Sequence, residues 1–151
     1  MADTNIPEIS IPSTSNGTTE ILGIPPNTYC MLLHLSQLLN FCFPPCGIIV
    51  PIVMWAIGKD KSAQVDQHGK IILNWLISLF IYVTASTALA VGFSITIMVM
   101  SMGFLPPIGF LLLCPFLFLL TILAVVFPII GAVKANNGIA WKYPLCISFF
   151  K

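Results

Sequence analysis

Residues 71–133 read IILNWLISLFIYVTASTALAVGFSITIMVMSMGFLPPIGFLLLCPFLFLLTILAVVFPIIGAV, and none of these 63 side chains carries a formal charge. A helix needs about 20 apolar residues to cross a hydrocarbon core of about 30 Å. The stretch is therefore long enough for two crossings and too short for three with turns. Its break falls at Ser101-Met102-Gly103-Phe104-Leu105-Pro106-Pro107, where a Gly and a Pro pair suit a turn followed by a helix start. The expected spans are 71–100 and 107–133.

The rest of the chain agrees. Of 151 residues, six are Lys and five are Asp or Glu, so 7% are charged, against about 25% in an ordinary soluble domain. Residues of the AVILMFWYC class make up 58%, and the mean hydropathy is +1.00. So few charges cannot cover a water-facing surface. That excludes a soluble globular enzyme, a nucleic-acid binder with a basic face and a polar disordered chain. What remains is an all-α, polytopic membrane protein.

Upstream, residues 29–57 form a second apolar unit, about 43 Å long if helical throughout. Phe43-Pro44-Pro45-Cys46-Gly47 interrupts it, and Pro51 follows. Proline removes a backbone donor and clashes with the preceding helical turn. One reading is a single kinked span over 30–57, broken at Pro44-Pro45, which makes three spans in all. The other is four helices, with the first two forming a short hairpin. Half-helices of about 20 Å cannot each span a bilayer, which favours the kinked span.

Lys59, Lys61 and Lys70 precede the uncharged stretch, and Lys134, Lys142 and Lys151 follow it. Two crossings separate the clusters, so both are expected on the cytoplasmic side of a bacterial inner membrane. The Lys-free turn at 101–107 then lies outside. Residues 1–28 are rich in Ser, Thr, Asn and Pro and read as a flexible polar tail ahead of a helical domain over 29–151. No basic region followed by an apolar one marks a cleavable signal there. Asn16-Gly17-Thr18 is a weak match to a glycosylation sequon.

Two polar stripes stand out. Asn74, Ser78, Tyr82 and Ser86 recur every four residues along one helical face, with the small residues Ala85, Ala88, Gly92 and Thr96 on or beside it. His34, Gln37 and Asn40 form a second stripe. The first suits helix packing through hydroxyls and small side chains, and the second suits interfacial or interhelical hydrogen bonding near a membrane surface. The sharper alternative is the lining of a polar path, although the 71–100 span lacks the ionisable group such paths usually carry. An intramembrane His is costly unless paired.

In the loop 59–70, Lys59, Lys61 and Lys70 suit headgroup anchoring, and Asp66 suits a helix cap. Asp66 and His68 lack an accompanying nucleophile or oxyanion arrangement, so no catalytic residue is assigned and no enzyme is expected. Cys30, His34, Cys42 and Cys46 lack close metal-ligand spacing, so no metal or other cofactor is expected. Five cysteines, three of them deep in apolar segments, do not suggest a disulfide framework. Pro115 and Pro128 are expected to kink the last span, and Trp141 and Tyr143 to join an aromatic belt.

Several strings stand in a familiar order: His34-Leu35-Ser36-Gln37-Leu38, Gly47-Ile48-Ile49-Val50-Pro51, Trp55, Lys59-Asp60-Lys61-Ser62, Val65-Asp66, His68-Gly69-Lys70, Asn74, Ala135-Asn136-Asn137-Gly138 and Tyr143-Pro144-Leu145. Over roughly 29–151 the chain resembles bacterial membrane proteins of a domain-of-unknown-function family. That family is grouped with the twenty-kilodalton subunit of the chloroplast inner-envelope protein-import translocon. Trp75 stands where those proteins more often have Phe, and Lys142 where they have Arg. The resemblance implies a non-enzymatic accessory or scaffold subunit, with protein translocation or insertion as its setting, and supplies no catalytic residues. The alternative is a small homo-oligomeric channel or carrier lined by the two stripes. Expected partners are membrane lipid and other membrane-protein subunits or further copies of the chain, with no nucleic acid.

Overall fold

The computed structural model describes residues 20–103 and 108–150. The sequon, most of the polar tail and the Pro106-Pro107 pair lie outside the described residues. Four α-helices follow in order: α1 Pro26–Leu35, α2 Cys46–Gly58, α3 Ala63–Met100 and α4 Gly109–Asn136. A 3-10 segment, Ser36–Phe41, extends α1. Among the described residues the only β pairing is one bridge, between Ile21 and Ile24.

Proline sets the first two helices. Pro26 opens α1, where its missing N–H costs nothing and its φ is already helical. Pro45 stands at the N-cap of α2, so the chain stops at 42–45 and restarts. The restart reverses direction. Tyr29, near the start of α1, donates its hydroxyl to the Met54 carbonyl near the end of α2 at 2.7 Å. At the other end Gly47 lies directly against the Asn40 backbone, an approach that a side chain would block. The kinked single span is therefore corrected to a helical hairpin. Two prolines dictate only that the helix ends, and the antiparallel contacts decide where the chain goes next.

The packed body also begins earlier than residue 29. Ile21 is fully buried against Tyr29, Cys30, Val65 and Ala135. Asp66 does not cap α3: Ser62 is at the N-cap, without a side-chain hydrogen bond, and Asp66 lies in the first turn.

The 38 residues of α3 reach about 57 Å and the 28 of α4 about 42 Å. These two helices are long and apolar enough to cross a membrane, while the 13-residue α2 is shorter, at about 20 Å. They run antiparallel. Gly109 packs against the Ala90 carbonyl and Ser94, and the Trp75 and Phe127 rings meet at 4.9 Å. α4 continues through both Pro115 and Pro128.

Burial is uneven along this pair. In α3 the buried residues cluster from Val65 to Ser78, and beyond them only Ala90 and Ser94 are buried. In α4 they cluster from Phe127 to Ala135. α1, α2 and the segment after α4 pack around these ends and form a head. The remainder is a two-helix arm with bare apolar sides: Leu89 and Leu111 are each 74% exposed and Met100 79%. A surface that apolar is stable against lipid and not against water. Every charged residue described lies at the head end, outside the arm.

Candidate functional site

Three elements and the C-terminal segment bring a polar cluster together inside the head. His34 comes from α1, Gln37 from the 3-10 segment, His68 from the second turn of α3 and Tyr143 from beyond α4. Both His rings are fully buried, Gln37 is 5% exposed and Tyr143 3%. His34 Nδ1 lies 2.6 Å from the Tyr143 hydroxyl, and His34 Nε2 lies 2.9 Å from His68 Nδ1. The Gln37 amide donates to Tyr143 Oη at 3.1 Å and to the His34 carbonyl at 3.3 Å.

Proton directions follow from the donor inventory. The Tyr143 oxygen accepts from Gln37, and its own hydrogen goes to His34 Nδ1. Burial pushes this hydroxyl above the usual tyrosine range, so it keeps its proton. His34 then carries its hydrogen on Nε2 and donates to His68 Nδ1. His68 in turn carries its hydrogen on Nε2, which is buried and has no partner among the described residues. This assignment rests on the bonding pattern. It makes both rings neutral, as an interior without a counter-ion requires.

Close packing holds the cluster in place. A β-carbon added at Gly131 of α4 would stand 2.8 Å from His34 Nδ1 and 2.9 Å from Tyr143 Cε1. The Tyr143 ring is edge-on to Trp75 at 5.7 Å and tilted against Phe127 and Trp141 at 5.6 and 5.5 Å. Tyr143 is thus an interior residue and not part of a lipid-facing belt.

The α3 stripe is occupied by the chain's own C-terminus. Asn74 Oδ1 accepts from the Phe149 and Phe150 amides at 3.0 and 2.9 Å, and Asn74 Nδ2 donates to the Phe150 carbonyl at 2.9 Å. Ser78 Oγ accepts from the Ile147 amide at 2.8 Å and donates to the Asn74 carbonyl at 2.7 Å. Tyr82 donates to the Leu145 carbonyl at 2.6 Å. Four helical residues rise about 6.0 Å and two extended residues about 6.6 Å. A side chain every fourth residue on α3 therefore meets a backbone group every second residue on an antiparallel strap. Ser86 lies beyond the strap and donates to the Val83 carbonyl of its own helix. Asn40 is outside the cluster too, as the backbone against which Gly47 packs.

The loop residues divide between the cluster and a separate corner. His68 joins the cluster, whereas Lys59, Asp66 and Lys70 gather where α2 meets α3. Asp66 accepts from Trp55 Nε1 at 3.1 Å and pairs with Lys70 at 2.7 Å. Lys59 sits 5.1 Å from the centroid of the same Trp55 ring, and Gly69 gives that ring its room. The Lys70 ammonium, hydrogen-bonded to the carboxylate, holds Asp66 below the usual carboxylate range against a smaller opposing effect of burial. The Lys61 amide closes the corner on the Gly58 carbonyl at 3.1 Å.

No group of three or more His, Cys, Asp or Glu that could hold a metal ion occurs among the described residues. The polar atoms of the head are spent chiefly on one another. Their arrangement fixes the C-terminal segment and locks three helices together.

The partnership of His34 with His68 and Tyr143 was missed in the sequence, although an apolar helix bearing a His carries the signal that some partner must exist. No curated protein and no solved structure matches the chain. The resemblance to the translocon-related family is overturned by the family comparison, which aligns residues 25–150 with the magnetosome magnetite crystal formation proteins, MamF/MmsF. The strings behind that resemblance hold residues that pack the head, such as Gly47, Gly69, Asn74 and Tyr143. The expectation of a role in translocation falls with it. Matched over most of its length, the chain belongs to the magnetosome magnetite crystal formation protein family.

Proposed function

We propose that this protein is a non-enzymatic membrane subunit that serves magnetite crystal formation from within the magnetosome membrane. The bare apolar α3–α4 arm carries this reading, because it needs lipid around it and agrees with the membrane role of the family. α3 and α4 supply two crossings. The α1–α2 hairpin dips into the same leaflet as the head and returns. Its tip residues Phe41 and Ile48 line one cavity with Phe80 and Val83 of α3. Phe80 and Val83 lie about 15–20 Å along α3 from Lys70, half of a core about 30 Å thick.

The lysine clusters favour a cytoplasmic head, with the α3–α4 turn on the opposite side. The expected partners are lipid together with other membrane subunits or further copies of the chain. The channel reading loses support, because the α3 stripe is bonded to residues 145–150. Most of the His34–Gln37–Tyr143 cluster is likewise spent on structural hydrogen bonds, which favours a scaffold over an enzyme.

The reading is tested by deleting the coding sequence in a magnetosome-forming host and restoring it as a tagged copy. Magnetite size, shape or number should change on deletion and recover with the copy, and the tagged chain should fractionate with magnetosome membranes. Unchanged crystals, or a chain found outside those membranes, would overturn the reading.

A further inference from the structure

A second cavity, of about 470 Å³, opens on the other side of Tyr143, between α3 and the strap. Two periodicities build it. Gln67, Lys70, Ile71 and Asn74 follow i, i+3, i+4, i+7 and make its floor from one face of α3. Cys146, Ser148 and Phe150 alternate along the strap and make its wall, while the backbone at 145, 147, 149 and 150 bonds to the α3 stripe. Lys142 stands at the rim, exposed, with no ion-pair partner among the described residues.

We propose that this cavity binds the phosphodiester headgroup of an anionic phospholipid. Charge complementarity argues for one negative charge. Lys70 and Lys142 bring two positive charges, and Asp66 at 2.7 Å from Lys70 offsets one of them. The Gln67 amide and the Ser148 hydroxyl add donors suited to phosphate and glycerol oxygens. Position and chemistry favour a lipid over free phosphate. Lys70 is the last charge before the 63-residue uncharged run, and so it stands at headgroup level. Ile71 and Phe150 give the cavity apolar walls on which the base of an acyl chain can rest. The volume lies within the range of about 300–1,000 Å³ common for ligand sites.

The proposal rests on α3 crossing a membrane, and its test is separable from that reading. The full chain, purified in neutral detergent, is titrated with phosphatidylglycerol or phosphatidylcholine, and bound lipid is counted by native mass spectrometry. Phosphatidylglycerol should bind about fivefold or more tightly than phosphatidylcholine, and Lys142→Gln should lose about fivefold. Lys142→Arg should retain the preference, and millimolar inorganic phosphate should not displace the lipid. Lys142 is exposed, so its substitution should leave the unfolding midpoint unchanged. Equal binding of both lipids would overturn the proposal. So would a preference unaltered by both Lys70→Gln and Lys142→Gln, or displacement by inorganic phosphate, which would reassign the cavity to free phosphate. A chain monodisperse without detergent or lipid would instead sink the membrane reading itself.

Discussion

Gly131 occupies the one place on α4 where a side chain would drive into both His34 and Tyr143. Gly131→Ala should therefore cost about 1–3 kcal/mol through overpacking, read as an earlier unfolding midpoint in a mixed-detergent titration. An unchanged midpoint would contradict the geometry of the cluster. Tyr143→Phe keeps the ring against Trp75 and Phe127 but strands the Gln37 donor and His34 Nδ1. Each buried group left unpaired costs about 1–3 kcal/mol, so this variant should also unfold early, and parity with the parent chain would count against the proton assignment. At the α2–α3 corner, Asp66 has a depressed pKa in the folded chain, so its contribution is complete above the usual value of 3.8 and lost as pH falls through the lower folded value. Trp55 emission should shift over that acid range in the parent and not in Asp66→Asn. At this scale the sequence was half legible. His34 and Gln37 stood out because polar residues on an apolar helix need partners. Tyr143 and His68 could not be joined to them, since the contacts span 109 and 34 residues and exist only once the hairpin has closed.

Among the elements, the fit between α3 and the strap has the most to teach. A repeat of four on a helix looks like a seam for another helix. Here the same repeat meets extended backbone, because four helical rises nearly equal two extended ones. Asn74→Leu removes two acceptor contacts and one donor contact. Hydrogen exchange at the Phe149 and Phe150 amides should then speed up while the α1–α2 hairpin stays protected. Unchanged exchange at those amides would mean that the strap is held elsewhere. The Pro44-Pro45 break was readable from sequence, since proline cannot continue a helix. Its consequence was not, because the hairpin is selected by Tyr29 bonding to Met54 and by Gly47 meeting the Asn40 backbone, contacts with no local signature.

For the whole molecule, the segregation of charge from apolar length dictates the architecture. All described charges collect at the head, and the arm is drawn from within the 63-residue uncharged run. That much was legible, since lipid is the only solvent that accommodates such a run. The crossing count was not legible, because an apolar segment of 29 residues serves equally as one kinked span or as a hairpin returning at half depth. The central claim is two crossings with a dipping hairpin, and single-cysteine accessibility in sealed membrane vesicles tests it most directly. Chains keeping Cys42 alone, or carrying only Lys61→Cys or Ser101→Cys, are treated with a membrane-impermeant maleimide on each side in turn. The account predicts labelling of position 61 from one side, of position 101 from the other, and of Cys42 from neither. Labelling of Cys42 from the same side as position 101 would show that the hairpin crosses the membrane, and would contradict the account.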